Sequence, residues 1–449
     1  MHDVIVIGGG VAGLSAAVRL SEQGARVLLL EQKPYLGGRT HSFRDRRTGD
    51  VVDNGQHLMM GCYHETRSYL HSIGASHLVS LQPGLRIEFL HPHNGPTSLH
   101  CWPLPTPLNV LSGLLSLRSL PFLHRLKLLR IGLELLSSSK QKEQELAQLT
   151  VDQWLRHCGQ TEENRKYLWN VIAIGTLNDD PKLVSALLFY RVLKAAFMGV
   201  ASDASLLIPR AGLSEILIDP AVNLIRRQGG EVLTNHEVDS FSFRGESIEK
   251  VFVGKKIFKP RSVIAAVPYF SLLPLLEKRK GEAGLMANIS RLKSSPIITI
   301  NLWFERHVFD AEFVAVLDSN IQWIFNRTAI LSLDKNRQYL SVVISGASKE
   351  VQWSKEKLVI TTRRELERVI PGLRGVKLLH SLVLKEKRAT FSPTPESLAL
   401  RPRIHASKEN MVLAGDWVDT GLPATIEGAV LSGVWAATEV QSILGRTGV

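Results

Sequence analysis

The most informative stretch of this sequence is Val4-Ile5-Val6-Ile7-Gly8-Gly9-Gly10-Val11-Ala12-Gly13. Its four consecutive apolar residues are typical of a strand that is buried on both faces of a parallel sheet. The glycines match the pattern GxGxxG at Gly8, Gly10 and Gly13. In that pattern the first glycine permits a tight turn, the second lets the backbone approach a pyrophosphate, and the third lets a helix pack closely on the strand. The stretch therefore predicts a dinucleotide site.

The residues that follow complete a strand–helix–strand unit. Val11 and Ala12 lie in the first turn of the predicted helix, where free N–H groups and the helix dipole favour an anion. Gly24 ends this helix, and Arg26–Glu31 is the second predicted strand. Glu31 ends that strand, and a carboxylate in this place accepts hydrogen bonds from ribose hydroxyls and disfavours a 2′-phosphate.

Two further segments indicate which dinucleotide is bound. Gly37-Gly38-Arg39 follows the ribose acid closely, and its two glycines keep the loop thin beside a long cofactor. Near the C-terminus, a strand ends at Gly415-Asp416, where the carboxylate suits a ribityl hydroxyl. A helix predicted to begin at Pro423 would turn the N–H groups around Thr425 and Ile426 towards a flavin ring and stabilise its reduced, negatively charged form. The C-terminal segment suits a flavin, and Gly37-Gly38-Arg39 favours FAD over NAD through the resemblance given below.

The distribution of these segments predicts an α/β fold with a Rossmann-like FAD-binding domain and an inserted α+β substrate domain. The FAD-binding domain is discontinuous and consists of residues 1–75, 205–280 and 395–449. The substrate domain consists of residues 76–204, predicted to be mostly helical, and residues 281–394, whose alternating apolar and polar residues predict a mainly antiparallel sheet. Within residues 205–280 we expect a helix over Leu213–Gln228 and a hairpin around Arg244–Ser247.

Composition excludes some classes of function. The 54 Lys and Arg residues exceed the 42 Asp and Glu residues and give a net charge of +12, which suits an anionic partner. No zinc-finger spacing and no aromatic-glycine RNA-binding pattern occurs, so we expect no nucleic-acid partner. The three cysteines Cys62, Cys101 and Cys158 lie far apart. We therefore expect reduced thiols, no metal site and a cytoplasmic protein.

Together these segments resemble the amine-oxidase-like flavoproteins. The resemblance implies that Arg39 lies near the pyrophosphate and that Asn54-Gly55-Gln56-His57 lies beside the flavin ring. It also implies that Val238 contacts adenine through its backbone, although a plain core valine is the alternative. Covalent attachment in this superfamily uses a Cys or His near the flavin. The segment Gly415–Gly428 contains neither, so we expect FAD to be held non-covalently.

Four segments narrow the resemblance to the squalene-associated FAD-dependent desaturases, understood as hydroxysqualene dehydroxylases of hopanoid synthesis. They are Asp53–His57, Leu177-Asn178 with Ser185-Ala186, Leu207–Ser214, and Gly415-Asp416-Trp417 with Gly421–Ala429. The resemblance implies a reduction in which hydroxysqualene loses its allylic hydroxyl as water and becomes squalene. It also implies an apolar cavity for the isoprenoid. His57 is the candidate proton donor, and a purely positioning role is an equal alternative.

Other functions and partners remain open at this point. The first alternative is a desaturase or oxidase that acts on a polyisoprenoid or a porphyrinogen. The second is a prenyl-binding carrier that kept the fold and lost redox function, against which the intact glycine and acid motifs argue. Only one GxGxxG turn occurs, at Gly8–Gly13. Since classical flavoprotein reductases carry a second such turn for NAD(P)H, we expect an external electron donor.

One predicted helix suggests a place for the protein in the cell. Residues 102–142 combine an apolar stripe with basic flanks, as a helix lying on anionic lipid does. The stripe consists of Phe122, Leu126, Leu129, Leu133 and Leu136, and the flanks of Arg118, Arg125, Lys127, Arg130, Lys140 and Lys142, against the single acid Glu134. A core-packed helix with a solvated basic face is the alternative. The sequence thus predicts peripheral binding at the inner membrane.

Overall fold

The computed structural model describes residues 2–93, 95–102, 104, 108–117, 119–276, 283–405 and 409–446. Its strands, in chain order, are β1 Val4–Ile7, β2 Val27–Leu30, β3 Ser42–Arg44, β4 Val51–Asp53, β5 Met59–Met60, β6 Val79–Leu81, β7 Arg86–His91, β8 Gly95–His100, β9 Leu206–Pro209, β10 Glu231–Leu233, β11 Ser240–Arg244, β12 Ser247–Val253, β13 Lys256–Phe258, β14 Ser262–Ala265, β15 Ser294–Phe304, β16 Phe313–Val316, β17 Trp323–Asn326, β18 Gln338–Ser345, β19 Leu378–Phe391 and β20 Met411–Leu413.

The helices complete the element list. They are α1 Val11–Glu22, α2 His64–Ser72, α3 Leu108–Ser116, α4 Phe122–Leu136, α5 Lys140–Leu146, α6 Val151–His157, α7 Glu162–Asn164, α8 Asn170–Leu177, α9 Ala186–Phe197, α10 Leu213–Leu217, α11 Asp219–Arg227, α12 Tyr269–Leu276, α13 Ala283–Ser290, α14 Arg327–Ile330, α15 Lys355–Val369, α16 Pro395–Leu400 and α17 Ile426–Arg446. A π-helical segment, Arg165–Trp169, joins α7 to α8.

Five parallel strands form the sheet that carries the glycine-rich turn, in the order β10-β2-β1-β14-β20. Successive side chains of β1 enter two different cores. Val4 and Val6 pack with α1, α11 and α17, whereas Ile5 and Ile7 pack with α12 and the β11-β12-β13 sheet. Each such side chain, once buried, stabilises the fold by about 1.5–3 kcal/mol. Burial on both faces explains why these strands are continuously apolar, and it confirms the α/β fold class.

Seven strands form the second large sheet, in the order β19-β15-β18-β17-β16-β7-β8. Its pairs are antiparallel except for β16 with β7, which is parallel. One face packs on α15 and a compact aliphatic core, and the other faces the helical region. The strands of the parallel sheet come from residues 1–75, 205–280 and 395–449, and those of the seven-stranded sheet from residues 76–204 and 281–394. The domain boundaries themselves stay a prediction.

The structure corrects four expectations about elements. Residues 79–100 are not helical but form β6, β7 and β8, because Ile87 and Phe89 alternate with exposed or half-buried neighbours in a run too short for a helix. The predominantly antiparallel region also contains α15, whose buried residues Leu358, Thr362 and Leu366 recur every four positions. Many of the other residues of α15 are charged, which makes the four-residue spacing of its buried positions hard to recognise in the sequence.

The other two corrections concern helix ends. The helix expected over Leu213–Gln228 is two helices that meet at Ile218, because Pro220 cannot donate the N–H that a continuous helix needs there. The last helix begins at Ile426 rather than Pro423, since the side chain of Thr425 caps it by accepting a hydrogen bond from the N–H of Gly428 at 3.0 Å. The hairpin at Arg244–Ser247 is confirmed by the pairing of β11 with β12.

Candidate active site

The glycine-rich turn lies at the carboxyl end of β1, where open parallel sheets bind their ligands. Gly8 has a φ of +107°, and a Cβ at this position would lie 2.6 Å from the carbonyl oxygen of Ala266. A Cβ on Gly13 would lie 2.0 Å from the carbonyl oxygen of Gly8. Gly10 differs, since a Cβ there would meet no atom within 4 Å in the described part of the chain beyond its own neighbours. Gly8 and Gly13 are thus required by the protein itself, whereas Gly10 leaves room for a bound group.

Glu31 is held in a fixed orientation at the end of β2. Its Oε2 accepts a hydrogen bond from the N–H of Gly9 at 2.8 Å, and its Oε1 accepts one from the N–H of Lys33 at 2.8 Å. The N–H of His236 donates to the carbonyl oxygen of Glu31 at 2.8 Å. These contacts bring the segment that contains Val238 alongside the acid. The side chain of Val238 is buried in the core beneath it, so contact with adenine through the backbone stays a prediction.

Gly37, Gly38 and Arg39 pass directly beneath the glycine-rich turn. Gly37 has a φ of +97°, and its N–H donates to the carbonyl oxygen of Gly9 at 2.7 Å. Arg39 donates two hydrogen bonds to the carboxylate of Asp416, at 2.8 Å and 2.7 Å. This paired geometry is the strong form of a charge-assisted hydrogen bond. The structure thereby brings together the N-terminal and C-terminal motifs, which are separated by most of the chain.

The loop after β20 leads from Asp416 to the last helix. Gly415 has a φ of +140°, and its N–H donates to Oγ of Ser432 at 2.8 Å. The loop ends where Thr425 caps α17 and Ile426 opens its first turn. The first N–H groups of any helix have no partner within it, so this helix end suits an electron-rich group placed against it. The expected position of Thr425 and Ile426 beside the flavin stays a prediction.

A buried charge network fixes the segment Asp53–His57. Oδ2 of Asp53 lies 2.9 Å from Nη2 of Arg327, and both side chains are almost completely buried, at 2% and 1% exposed. Oδ1 of Asp53 accepts hydrogen bonds from Oγ of Ser42 at 2.6 Å and from the N–H of Leu213 at 3.0 Å. Nη1 of Arg327 also donates to Oε1 of Gln56 at 2.8 Å. Arg327, which no motif in the sequence marks, therefore links the seven-stranded sheet to the predicted flavin-facing loop.

His57 is oriented by its own loop. Nδ1 lies 2.8 Å from the carbonyl oxygen of Gly55, and since a carbonyl only accepts, the proton of the neutral ring belongs on Nδ1. Burial lowers the pKa of His57, although the bond to Gly55 opposes that shift. The neutral ring therefore presents Nε2 as an acceptor. This geometry favours a positioning or accepting role for His57 over the proton-donor role, which stays an untested prediction.

We expect His57 to make the flavin-free protein sensitive to acid. A histidine with a lowered pKa in the folded state binds fewer protons than in the unfolded state, so stability falls as pH drops below about 6.5. Burial lowers the pKa of His41 as well, so His57→Gln should reduce this decline without abolishing it. Urea unfolding at pH 7 and pH 5.5 measures it, with exposed His77→Gln as the control. An unchanged decline in His57→Gln would contradict the expectation.

None of the three cysteines is activated as a nucleophile. Burial, followed by the charges of Asp203 and Glu427, raises the pKa of Cys62 to about 12. Burial likewise raises the pKa values of Cys101 and Cys158 to about 11. All three are free thiols, which at neutral pH are protonated and unreactive. No group of three or more potential metal-ligating side chains occurs among the residues that the structure describes.

Apolar side chains continue from His57 into the helical region. Leu58 and Met60 follow His57 in the chain and pack, partly buried, against the large core of that region. Other partly buried members of the same surface are Val171, Ile172, Ile297 and Trp323. We call these six partly buried side chains the apolar wall.

Comparison with known proteins gives three results. The family model for flavin-containing amine oxidoreductases matches residues 11–441. The hydroxysqualene dehydroxylase of Sinorhizobium fredii is 29% identical over 442 residues, which cover 97% of each chain. The 15-cis-phytoene desaturase of Narcissus pseudonarcissus is 25% identical over 464 residues, which cover 98% of this chain and 79% of that protein.

Among solved structures, cyclohexylamine oxidase from Brevibacterium oxydans superposes with a TM-score of 0.72. Its sequence is 18% identical, and the match covers 99% of this chain and all of that one. At this identity the likeness shows the fold alone.

Proposed function

Because the chain belongs to the flavin-containing amine oxidoreductase family, whose cofactor is FAD, we propose that it removes the hydroxyl group of hydroxysqualene reductively to give squalene. The observation that carries this proposal is the similarity to hydroxysqualene dehydroxylases along 97% of both chains. The apolar wall beyond His57 supports it, since a long hydrocarbon needs such a surface.

The residues present fit FAD. The space at Gly10 and the free N–H groups that open α1 suit the pyrophosphate, and Glu31 suits the adenosine ribose. We propose that Arg39 and Asp416 flank the flavin chain, and that Gly55, Gln56 and the start of α17 lie against the ring. When bound and reduced, FAD supplies a hydride. The alcohol, one hydride and one proton then give the hydrocarbon and one water.

The protein's own contribution is to orient the isoprenoid and to exclude water from the reacting carbon. Leu58, Met60, Ile297 and Trp323 are partly buried side chains of the apolar wall, and such a dry surface protects an electron-deficient carbon. A neutral His57, with Nε2 as an acceptor, is suited to hold the released water or the substrate hydroxyl in place. The proton itself must then come from another donor or through water.

Product analysis tests this proposal. The protein, reduced chemically under anaerobic conditions, should convert hydroxysqualene to squalene, while the oxidised protein should not. The second candidate, a desaturase, is favoured by the similarity to phytoene desaturase and predicts the reverse dependence, with oxidised protein removing hydride from a polyisoprenoid. A prenyl-binding carrier would bind either compound and change neither.

We propose that the protein works at an anionic membrane surface. Phe122, Leu126, Leu133 and Leu136 of α4 are exposed, at 41–65%, and only Leu129 of the predicted stripe is partly buried. The opposite side of α4 packs into the core through Leu128, Ile131 and Leu135. The predicted stripe thus lies mostly on the exposed side of a helix whose other side packs in the core. An exposed stripe of this kind suits insertion into the lipid interface.

The charges around α4 match an anionic bilayer rather than a protein partner of mixed charge. Lys127, Arg130 and Lys140 are exposed beside the stripe, whereas Arg125 is half-buried and donates to the carbonyl oxygens of Leu120 and Leu115. Lys142 is paired with Glu134 at 2.8 Å. Arg118, also part of the prediction, lies outside the described residues. In the described part of the chain, no helix combines the length and the apolar character needed to cross a bilayer. The proposed contact is therefore peripheral.

Flotation with liposomes measures this contact. Leu133→Glu with Leu136→Glu should lower recovery with anionic liposomes at least fivefold, because charged groups would then enter the interface. The matched control is Leu183→Glu with Ile360→Glu, which adds the same charge at residues that are 53% and 52% exposed elsewhere. Equal loss in both double variants, or equal recovery of the native protein with neutral lipid, would contradict a specific membrane face.

The electron donor is proposed to be external. Among the described residues, one sheet alone is fully parallel, and its single glycine-rich turn is assigned to FAD. A carrier that approaches at the membrane would agree with the position proposed for α4.

A further inference from the structure

A buried arginine lies beneath the loop that follows β20. Arg401 comes directly after α16, and its side chain is completely enclosed. Nε donates to the carbonyl oxygen of Trp417 at 3.2 Å, and Nη2 donates to those of Asp416, at 3.4 Å, and Val418. Three successive carbonyl groups of one loop therefore converge on a single guanidinium. No motif in the sequence marks this residue.

The charge of Arg401 is offset by these carbonyl groups and by two carboxylates, those of Asp419 and Asp416. The carboxylate of Asp419 lies 3.8 Å from Nη1 and is 43% exposed. The guanidinium also lies 4.7 Å above the ring of Phe391. Burial lowers the pKa of Arg401 to about 10, against the opposing pull of Asp419 and Asp416, so the group stays charged at neutral pH. A charge kept at this cost in desolvation is a candidate for a functional role.

The loop held by Arg401 is the one that presents Asp416. The carboxylate of Asp416 accepts both hydrogen bonds from Arg39, and the backbone carbonyl oxygen of Asp416 accepts one from Arg401. The N–H of Asp419 donates to the carbonyl oxygen of Pro402 at 2.8 Å, next to Arg401. The position of Asp416 therefore depends on the segment that carries Arg401.

We propose that Arg401 is a positioning residue that holds the Asp416–Val418 loop in its FAD-binding conformation and that its enclosed positive charge favours the reduced, negatively charged flavin. The first effect follows from the three carbonyl contacts. The second follows from Coulomb attraction, which is weakly screened where water is absent. Neither effect depends on which substrate the protein reduces, so this inference stands or falls separately from the proposed reaction.

The test compares Arg401→Met with Arg403→Met, an exposed arginine two residues further along. Methionine fills much of the same space without charge or donors. We expect the FAD dissociation constant of Arg401→Met, measured by titrating the flavin-free protein, to rise at least tenfold, about 1.4 kcal/mol. Binding of reduced FAD should weaken tenfold more than binding of oxidised FAD. This difference lowers the midpoint potential of the bound flavin by about 30 mV for two electrons. Arg403→Met should change neither quantity.

A structural role alone predicts a different pattern. In that case thermal unfolding of the flavin-free protein would shift, while the potential of bound flavin would not move. An unchanged dissociation constant or an unchanged potential in folded Arg401→Met would overturn the proposal. If Arg401→Met does not fold, the same two measurements on Arg401→Lys test the proposal. An ammonium group keeps the charge but lacks the planar fork, so the potential should stay native while the dissociation constant rises at least threefold. A native FAD dissociation constant in Arg401→Lys, or failure of both variants to fold, would overturn the proposal.

Discussion

Gly10→Val should give a folded protein that purifies without flavin. A Cβ at Gly10 meets no protein atom within 4 Å in the described part of the chain beyond its own neighbours, so the turn can accept the side chain. The same side chain would fill the space that the pyrophosphate needs at the start of α1. We expect the FAD dissociation constant to rise at least a hundredfold, about 2.7 kcal/mol, measured by titrating the flavin-free protein.

The comparison variants separate cofactor loss from misfolding. In Gly13→Val the side chain would lie 2.0 Å from the carbonyl oxygen of Gly8, so both folding and binding should fail. Gly445 lies in α17 at a position where a Cβ has space, so Gly445→Val should keep the native flavin content. A Gly10→Val protein that retained yellow colour at native stoichiometry would show that the dinucleotide does not bind at this turn.

Arg327→Met should destabilise the protein by about 3–5 kcal/mol, because it leaves the carboxylate of Asp53 buried without its counter-charge. The pair is 1–2% exposed, and Asp53 also anchors Ser42 and Leu213. The loss should extend from the seven-stranded sheet to the Gln56–His57 loop. Urea unfolding of the flavin-loaded protein, together with the absorption spectrum of bound FAD, measures both effects.

A matched surface pair provides the control. Arg86 pairs with Glu88 at 2.7 Å, and the two side chains are 60% and 37% exposed, so this exposed ion pair contributes about 0–1 kcal/mol. Arg86→Met should therefore cost less than about 1 kcal/mol and leave the flavin spectrum unchanged. A similar loss in both variants would mean that burial of the Arg327–Asp53 pair carries no special weight.

The parts of the fold that the sequence predicts are those with local signatures. The apolar run Val4–Ile7, the glycines after it and the predicted ribose acid Glu31 lie within one short unit, and each has a physical reason to occur there. The expectation of helix at 79–100 is wrong because β7 and β8 are stabilised by a distant partner, β16. The alternation of Ile87 and Phe89 is a local sign of a strand, whereas the pairing of β7 with β16 cannot be read from the local sequence.

Some residues of the candidate site can be recognised from the sequence and others cannot. Gly8, Glu31 and Arg39 are recognisable because a ligand dictates their spacing. Arg327 and Arg401 are single arginines in ordinary surroundings, and their burial arises only when remote segments meet. The contact between Arg39 and Asp416 belongs to both groups, since each residue is part of a motif while their pairing is visible only in three dimensions.

The reaction itself is tested most directly by a single turnover. Protein with fully reduced FAD, mixed anaerobically with hydroxysqualene in a stopped-flow instrument, should regain the absorbance of oxidised flavin and form one squalene for each FAD oxidised. The Gly10→Val protein should form none. Flavin that stays reduced while hydroxysqualene remains intact, or oxidised flavin that bleaches on addition of squalene, would contradict reductive dehydroxylation.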